Sequence, residues 1–425
     1  MKSTKTRFLT VTSFIFCWRI ISSLFLITSL FSGCNMGRNK GEGITIIDIA
    51  NDFSNEREFR LSEIAYDIEY IKLEATPDSY VGGGLSTWLT NDEYVFVYNR
   101  NRLLQFSRSG RFIREIGKYG RGPGELTGIN GMTLDEKNNK IYIIVRGKKE
   151  IVKYDVASGE YLGNFPIKDY SGSPLLQNSF QILENNTFAI LSPPFSQYQP
   201  DYKLLEIIDD KGNELATKTS FIFSYEDNEK REKGQYSFDN HIWVFNNQPR
   251  LFEGLNDTIY NIFENQLVPA YILNLGKLKG PFDVMTNLRP DNIRHTNYFH
   301  IGSVWESQSD LYFLCMYDSK TFVARYSKDQ GEFFRLINPY EETNRLLNDL
   351  DGGLSLWPIP AFNRTFRENE WIFYIDAFRM KQELTTDFLE SSEAIYPEKK
   401  EKLINFVDEL LIDDNPVLMI IKLKE

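Results

Sequence analysis

The sequence predicts an all-β fold built from repeated four-stranded units, and three observations support this prediction. Short segments rich in Tyr, Phe, Ile and Val alternate with turns rich in Gly, Asn and Asp along most of the chain. The segments fall into groups of four, and each group spans roughly forty residues or more. A glycine-containing turn joins the third segment to the fourth at 107–110, 155–159, 209–212 and 327–331. Six such units predict a six-bladed β-propeller of four-stranded antiparallel blades rather than a pair of β-sandwiches.

The predicted strands can be assigned unit by unit from the alternation of apolar and polar residues. Each of the first five units supplies four strands, whereas the sixth supplies only two before the pattern becomes helical. The assignments are 85–89, 94–99, 103–107 and 112–117; 129–135, 140–145, 151–155 and 161–166; 180–183, 187–191, 204–209 and 214–221; 241–245, 250–253, 258–263 and 267–273; 299–305, 310–317, 321–327 and 332–337; and 354–357 and 370–375.

The two ends of the chain supply the strands that the sixth unit lacks. Residues 66–74 alternate as a strand before the first complete unit, and residues 416–423 form an isolated strand at the C-terminus. We expect these two strands to pair in the last blade, because pairing closes the ring and removes an open sheet edge. Between them, 398–411 carries apolar residues at helical spacing and predicts one C-terminal helical insert.

A glycine-dense loop between the first and second units is the most specific local feature. Four glycines and one proline occur within 117–124, so the loop has fixed bends and little side-chain cover. Such loops border the mouth of a propeller's central channel. The charged residues of the loop could contact a ligand there, or could pair with each other and with neighbouring loops. The predicted structural residues are Gly120, Gly122, Pro123 and Gly124, and the candidate ligand contacts are Arg121 and Glu125.

The N-terminal segment predicts export and lipidation. Residues 1–33 contain four basic residues and no acidic one, and an apolar run at 20–31 leads to Ser32-Gly33-Cys34. The cysteine resembles that of a bacterial lipobox, whereas an uncleaved membrane anchor is the alternative. The predicted organisation is a signal peptide at 1–33, a lipidated Cys34 with a flexible tether over 34–60, and the propeller over 61–425. A protein so processed is anchored in the outer membrane of the cell envelope, on its periplasmic or its outer side.

Charge and cysteine usage narrow the function classes. Loss of the basic leader lowers the formal net charge from −11 to −15, which argues against nucleic acid as a partner. Membrane attachment would therefore depend on the N-terminal lipid. After processing, Cys315 is the one remaining thiol, and its apolar strand predicts a buried, unreactive group in a monomeric protein held by its core.

Tryptophans on the predicted first strands are the second set of candidate ligand contacts. Four tryptophans lie on or beside the first strands of units one, four, five and six, and first strands line a propeller's channel: Trp88, Trp243, Trp305 and Trp357. The candidate ligand contacts among them are Trp88, Trp305 and Trp357. Their faces could stack on sugar rings, or they could pack between blades.

Catalytic and metal motifs are absent from the sequence. His241, His295 and His300 are the only histidines, and no His-x-x-x-His, Cys-x-x-Cys or Gly-x-Ser-x-Gly pattern occurs. We therefore predict no catalytic residues, no metal and no cofactor. Carboxylates are abundant, so a glycosidase pair set by spatial separation stays open.

The chain resembles the six-bladed β-propeller lipoproteins common in Bacteroidetes, which are related in architecture to NHL-repeat propellers. The matching segments are 68–74, 117–125, 135–143, 257–260 and 415–418. The resemblance implies the propeller fold and supplies no catalytic residue. Asp257-Thr258-Ile259 also resembles the O-glycosylation motif of Bacteroidetes envelope proteins, which makes Thr258 a candidate modification site.

Two function classes follow from these observations. The first is a non-catalytic envelope lipoprotein whose propeller face binds a glycan, a peptide or a partner protein. The second is a propeller glycoside hydrolase or lyase that acts on a polysaccharide. Two facing carboxyl groups in the channel, one with a raised pKa, would distinguish the enzyme from the binding protein.

Overall fold

The computed structural model describes residues 44–82, 87–167, 180–192, 203–220, 240–281, 297–337, 345–356, 364–367 and 369–424. The predicted leader at 1–33 and Cys34 lie outside these residues, as do His295 and Trp357. Within the described part of the chain, no helix is both long enough and apolar enough to cross a membrane.

The chain enters the fold through five elements, two of which lie on the outer edges of blades. These are β1 (Thr45–Ile47), α1 (Ile49–Asp52), β2 (Glu56–Glu58), α2 (Leu61–Ile64) and β3 (Ala65–Lys72). Strand β1 pairs in parallel with the last strand of the fourth blade, and β2 pairs in parallel with the last strand of the fifth. Residues 44–60 therefore belong to the propeller and not to the tether predicted over 34–60, because their backbone groups complete two outer sheet edges.

Five blades follow in chain order, each an antiparallel sheet whose neighbouring strands are consecutive in sequence. Their strands are β4 (Thr87–Thr90), β5 (Tyr94–Asn99), β6 (Arg102–Ser107) and β7 (Phe112–Glu115); β8 (Ile129–Asp135), β9 (Lys140–Val145), β10 (Glu150–Asp155) and β11 (Tyr161–Pro166); β12 (Phe180–Ile182), β13 (Phe188–Leu191), β14 (Lys203–Ile208) and β15 (Glu214–Thr219); β16 (His241–Phe245), β17 (Gln248–Phe252), β18 (Thr258–Phe263) and β19 (Gln266–Leu273); and β20 (His300–Glu306), β21 (Asp310–Tyr317), β22 (Lys320–Ser327) and β23 (Glu332–Ile337).

The sixth blade closes the ring as the sequence predicts. Its strands are β24 (Arg364–Arg367), β25 (Glu370–Ile375), β26 (Val417–Leu423) and then β3, so the C-terminal strand lies between β25 and the N-terminal strand. The innermost strand is not the predicted 354–357. Leu354 and Leu356 instead pack in the hydrophobic core that blade six shares with the helical insert, which satisfies their apolar spacing without a sheet ladder.

The helical insert joins β25 to β26. It comprises α3 (Ala377–Glu383), α4 (Thr386–Ser391) and α5 (Pro397–Glu409). Leu403, Val407 and Leu410 pack into the core, and Pro397 suits the first turn of α5 because it lacks an N–H group. The predicted helix over 398–411 extends too far, since Leu411 lies beyond its end and is 60% exposed.

Hydrophobic clusters hold each pair of neighbouring blades together. Six clusters of buried side chains occur among the described residues, one at each interface between blades. Cys315 is buried in the cluster between blades four and five, and burial raises the pKa of its thiol well above the ordinary value. The predicted buried cysteine is thus confirmed.

The antiparallel order of the strands gives the disc two different faces. First strands of neighbouring blades contact one another, as β4 contacts β8 and β16 contacts β20, so they line the central axis. Connections between blades and turns between second and third strands share one face, here called the crossover face. Turns between first and second strands, and between third and fourth strands, share the opposite hairpin face. The helical insert belongs to the crossover face.

Candidate functional site

The glycine-dense loop connects β7 to β8 on the crossover face and is closed by its own backbone. Gly120 N donates to Leu126 O at 3.2 Å, and Leu126 N donates to Lys118 O at 2.8 Å. These two bonds tie the entry of the loop to its exit. The exposed tip between them is held as a small, ordered unit.

Glu125 stabilises this loop from within. Its Oε2 accepts a hydrogen bond from Gly122 N at 2.7 Å. A Cβ at Gly120 would lie 2.1 Å from the same oxygen, so glycine leaves the space that the carboxylate fills. Glu125 therefore has a conformational role, which is one of the two alternatives raised by the sequence, because its carboxylate is bonded to the backbone of the loop.

Two tyrosines of blade two contact the glycine loop and hold it in place. Tyr154 donates its hydroxyl proton to Gly124 O at 2.7 Å, and burial raises the pKa of that hydroxyl. Gly124 has φ +69°, and a Cβ there would lie 2.8 Å from Cγ of Tyr161. A glycine is required on both counts: backbone conformation and space.

The two predicted tryptophans in the described residues lie between blades. Trp88 is 1% exposed and stacks on Tyr374 with ring centroids 3.9 Å apart. Trp305 is 4% exposed and meets Trp371 edge to face at 5.1 Å. Neither ring presents a face to solvent, so both are removed from the candidate ligand contacts. Their place at the inner strands was predicted, but inner strands direct side chains into the interfaces between blades.

Most of the exposed charged residues around the glycine loop are basic, and exposed aromatic rings lie beside them. Three connections meet there on the crossover face: the turn after β5, the glycine loop and the turn after β9. Together with the connection that follows β3, they carry the set defined here as the cationic surface. Its members are the exposed residues Arg100, Lys118, Arg121, Arg146 and Lys149, with Tyr80 and Tyr119.

Hydrogen bonds join these connections into one surface. Ile129 N donates to the hydroxyl of Tyr98, beside the turn after β5, at 3.1 Å. Thr127 Oγ1 donates to Arg146 O, and Lys148 Nζ donates to Glu125 O at 3.3 Å. The glycine loop is therefore fixed to both neighbouring turns.

Three of the carboxylates near this surface are engaged, and a fourth, Asp78, is exposed in the connection that carries Tyr80. Arg102 pairs with Glu115 at 2.9 Å, and Lys148 pairs with Glu150 at 3.3 Å. Among the residues that the structure describes, no carboxylate forms an ion pair with any of the five cations of the cationic surface. These positive charges therefore face solvent.

A second candidate binding site lies between blades four and five, also on the crossover face. It is a cavity of about 80 Å³ lined by side chains that include Phe252, Leu255, Asn256, Phe299 and His300. A cavity of this size holds a few water molecules or one small chemical group rather than a sugar chain. Burial lowers the pKa of His300 to about 4, so its imidazole is neutral at pH 7.

Comparison with known proteins identifies the family. The sequence matches the family described as "Domain of unknown function (DUF4934)" over residues 44–422. The chain belongs to the DUF4934 family. This result confirms the resemblance to Bacteroidetes six-bladed propellers, and the match begins at the same residue at which the described fold begins.

A solved structure shares the architecture of this DUF4934 protein, and two others are more distant. A Bacteroides fragilis NCTC 9343 protein whose name describes it as exported is 16% identical, with a TM-score of 0.64 over 90% of this chain and 100% of that one. A DUF4221 family member from Bacteroides vulgatus ATCC 8482 is 10% identical, with a TM-score of 0.46 over 85% of this chain and 97% of that one. Virginiamycin B lyase from Staphylococcus aureus is 12% identical, with a TM-score of 0.38 over 65% and 75%. The first shows the shared fold, and the other two are too distant to support an argument. No curated protein matches the chain.

The buried carboxylates of the DUF4934 chain have structural partners. Glu306 accepts from Arg250 Nε at 3.0 Å and from Lys328 Nζ at 2.8 Å, between blades four and five. Asp351, whose pKa burial raises, lies in the connection before β24 and accepts from Asn348 Nδ2 at 2.7 Å. In the described part of the chain, no group of three or more His, Cys, Asp or Glu side chains could hold a metal ion.

Thr258 lies at the start of β18, on the crossover face. Its Oγ1 donates to the Asp257 carboxylate at 3.4 Å, and that carboxylate also accepts from Lys279 Nζ at 2.6 Å. The side chain is half-buried. O-glycosylation of Thr258 stays a prediction, which intact-mass measurement of the native protein can check.

Of the residues in the cationic surface, Arg121 is predicted from the sequence as a ligand contact and the others are not. Its members come from four connections that are far apart in the chain, and no motif unites them. One sequence signal could have revealed this surface. The basic clusters at 100–102, 118–121 and 146–149 each follow a strand, and these strands all end on the same face of the propeller.

Proposed function

We propose that the chain is a non-catalytic, lipid-anchored cell-envelope protein that binds a ligand through the cationic surface. One observation carries this proposal: a loop fixed by its own glycines presents exposed basic and aromatic side chains on a strongly acidic protein. Binding residues are commonly placed on connections held by a rigid scaffold, and the propeller provides such a scaffold.

The envelope location is supported by two observations. The basic and apolar leader ends at Ser32-Gly33-Cys34, and the similar Bacteroides fragilis protein is described as exported. Acylation of Cys34 would place the protein at the outer membrane, as the lipobox resemblance implies. Mass spectrometry of the N-terminal peptide tests this part: a diacyl or triacyl adduct on Cys34 is expected, and an unmodified Met1 terminus would contradict it.

The binding role is tested with a glycan array that carries neutral and acidic glycans. The full-length chain, purified in a nonionic detergent, is compared with the double variant Lys118→Gln/Arg121→Gln. We expect at least one glycan to bind the natural chain and to bind the variant much more weakly. If the variant binds glycans as tightly as the natural chain, the binding site lies elsewhere on the protein. Binding to no glycan would contradict the proposal.

A further inference from the structure

We infer that the ligand of the cationic surface is an acidic polysaccharide, a single flexible chain that bears carboxylate or sulfate groups. This inference rests on the proposed function and adds the chemical class of the ligand. Three properties of the cationic surface support it: its positive charge, its rigid backbone and its exposed aromatic rings.

The charge of the cationic surface opposes that of the whole protein. The chain has a formal net charge of −11, yet five exposed cations lie on adjoining connections of blades one and two. Glu115, Glu150 and Glu125 are held by Arg102, Lys148 and the amide of Gly122, so the exposed Asp78 is the carboxylate that offsets part of this charge. A local positive field therefore remains for an external anion, and it attracts that anion over about a Debye length.

The surface is preorganised, so binding would require little ordering of the protein. The loop that carries Lys118 and Arg121 is closed by backbone bonds, by Glu125 and by Tyr154. Preorganisation lowers the entropic cost of binding and thereby raises affinity.

Aromatic rings beside the cations favour a sugar chain over a simple anion. Tyr119 is 64% exposed and lies between Lys118 and Arg121 in the loop. Tyr80 is 46% exposed, and its ring and the Arg100 guanidinium both lie 3.2 Å from the position of a Cβ built on Gly82. Each ring thus pairs an apolar face with a positive charge, which matches a sugar ring that carries an acidic group.

The acidic charge of the rest of the protein disfavours a flat anionic partner. A membrane of anionic lipids would contact the rest of an acidic protein and be repelled by it. A single polymer chain can cross the cationic surface alone. A single strand of nucleic acid could cross this surface in the same way, so binding of an oligonucleotide is compared with binding of the polysaccharide.

The experiment measures binding of the full-length chain, in a nonionic detergent, to immobilised polygalacturonate, to neutral dextran and to single-stranded oligothymidylate. We expect binding to polygalacturonate that weakens as NaCl rises from about 50 mM to about 500 mM, because exposed charges are screened. Lys118→Gln/Arg121→Gln should lower the affinity about tenfold, which corresponds to about 1.4 kcal/mol.

The matched control removes the same charge from the opposite face of the same blades. Arg111 and Lys137 are exposed in hairpin-face turns of blades one and two, and Arg111→Gln/Lys137→Gln should leave the affinity within about twofold. Tyr119→Ala should weaken polygalacturonate binding and leave the slope of affinity against salt unchanged, because a ring contact carries no charge.

The outcomes separate this inference from the proposed function. Equal losses in the two double variants, or tighter binding to oligothymidylate than to polygalacturonate, would overturn the inference. Salt-independent binding to dextran that is lost in Lys118→Gln/Arg121→Gln would overturn the acidic class and keep the binding role. Binding to none of the three polymers, together with an empty glycan array, would overturn both.

Discussion

Replacement of Glu306 by glutamine should destabilise the propeller more than any comparable change at an exposed ion pair. The Glu306 side chain is fully buried and accepts from Arg250, Lys328 and the Tyr271 hydroxyl at 3.0, 2.8 and 2.8 Å. Glutamine keeps the shape of the side chain but removes the negative charge, so the two cations lose their counter-charge.

The size of the expected loss in stability depends on how exposed Lys328 and Arg250 are. Lys328 is 18% exposed and can turn towards water, so its share of the loss is small. Arg250 is 4% exposed and cannot, so its guanidinium is left buried and uncompensated. Removal of one partner from a buried pair costs about 3–5 kcal/mol, and we expect a loss of about 3 kcal/mol in the free energy of unfolding.

The pH dependence of this loss has a definite sign. Burial acts to raise the pKa of Glu306, but Lys328 and Arg250 outweigh it and hold the pKa below its ordinary value of 4.5. The stability that the ionised group contributes is therefore present above pH 4.5 and is lost as the pH falls through the lower, folded-state pKa. The difference between the natural chain and Glu306→Gln should shrink in acid.

The assay is urea denaturation followed by tryptophan fluorescence at pH 7 and at pH 3. Glu383→Gln is the control, because Arg379 and Glu383 form an exposed pair on α3 whose removal should cost less than about 0.5 kcal/mol. In the double variant Glu306→Gln/Arg250→Met the loss should be smaller than in Glu306→Gln alone. A loss at pH 7 no larger than that of the control would refute this account of the buried cluster.

Further predictions concern packing, backbone geometry and titration. Trp88→Ala should lower the free energy of unfolding by about 3–5 kcal/mol and leave ligand affinity unchanged, as denaturation and binding assays on the folded protein can show; a selective loss of affinity would restore Trp88 as a ligand contact. Gly212→Ala should cost about 2 kcal/mol or more, because Gly212 has φ +77° and a Cβ would lie 1.9 Å from Pro166 O; an unchanged denaturation midpoint would contradict this. The pKa of His300 falls from 6.5 to about 4 on folding, so protonation favours the unfolded state and stability should decrease by up to about 3 kcal/mol as the pH falls from 6.5 to 4. His300→Asn should lack that decrease, and an identical pH profile would place the titration in another group.

Ring closure could be predicted from the sequence because two isolated strands needed partners. Residues 66–74 alternate as a strand, residues 416–423 form an isolated and mostly apolar strand, and the sixth unit lacks two strands. Ring geometry then leaves one arrangement, which the pairing of β26 with β3 confirms. Long alternating segments are the strongest signals in a β sequence.

Short and irregular elements could not be predicted in this way. Strands β1 and β2 have three residues each, too few to show alternation, so the sequence predicts a tether where these strands lie. The apolar spacing of Leu354 and Leu356 suits a strand, but the insert and its neighbours bury both side chains without one. Tertiary contacts decide such cases, and the sequence alone does not show them.

The candidate site was partly predictable. The glycine loop was recognised from its composition, and its conformational role follows from the positive φ at Gly124. The sequence places Trp88 and Trp305 on inner strands and leaves open whether they contact a ligand or pack between blades; the structure shows packing, because both side chains point into the interfaces between neighbouring blades. The cationic surface emerged only when the strand directions placed separate connections on one face.

Hydrogen–deuterium exchange with the bound polysaccharide tests the central claim most directly. The full-length chain is compared in the presence and absence of a saturating acidic polysaccharide identified by the binding experiments. We expect slower exchange of backbone amides in 98–102, 117–127 and 145–149, the connections that carry the cationic surface. Protection confined to the hairpin-face turns at 91–93 and 135–139, or to the cavity between blades four and five, would contradict it.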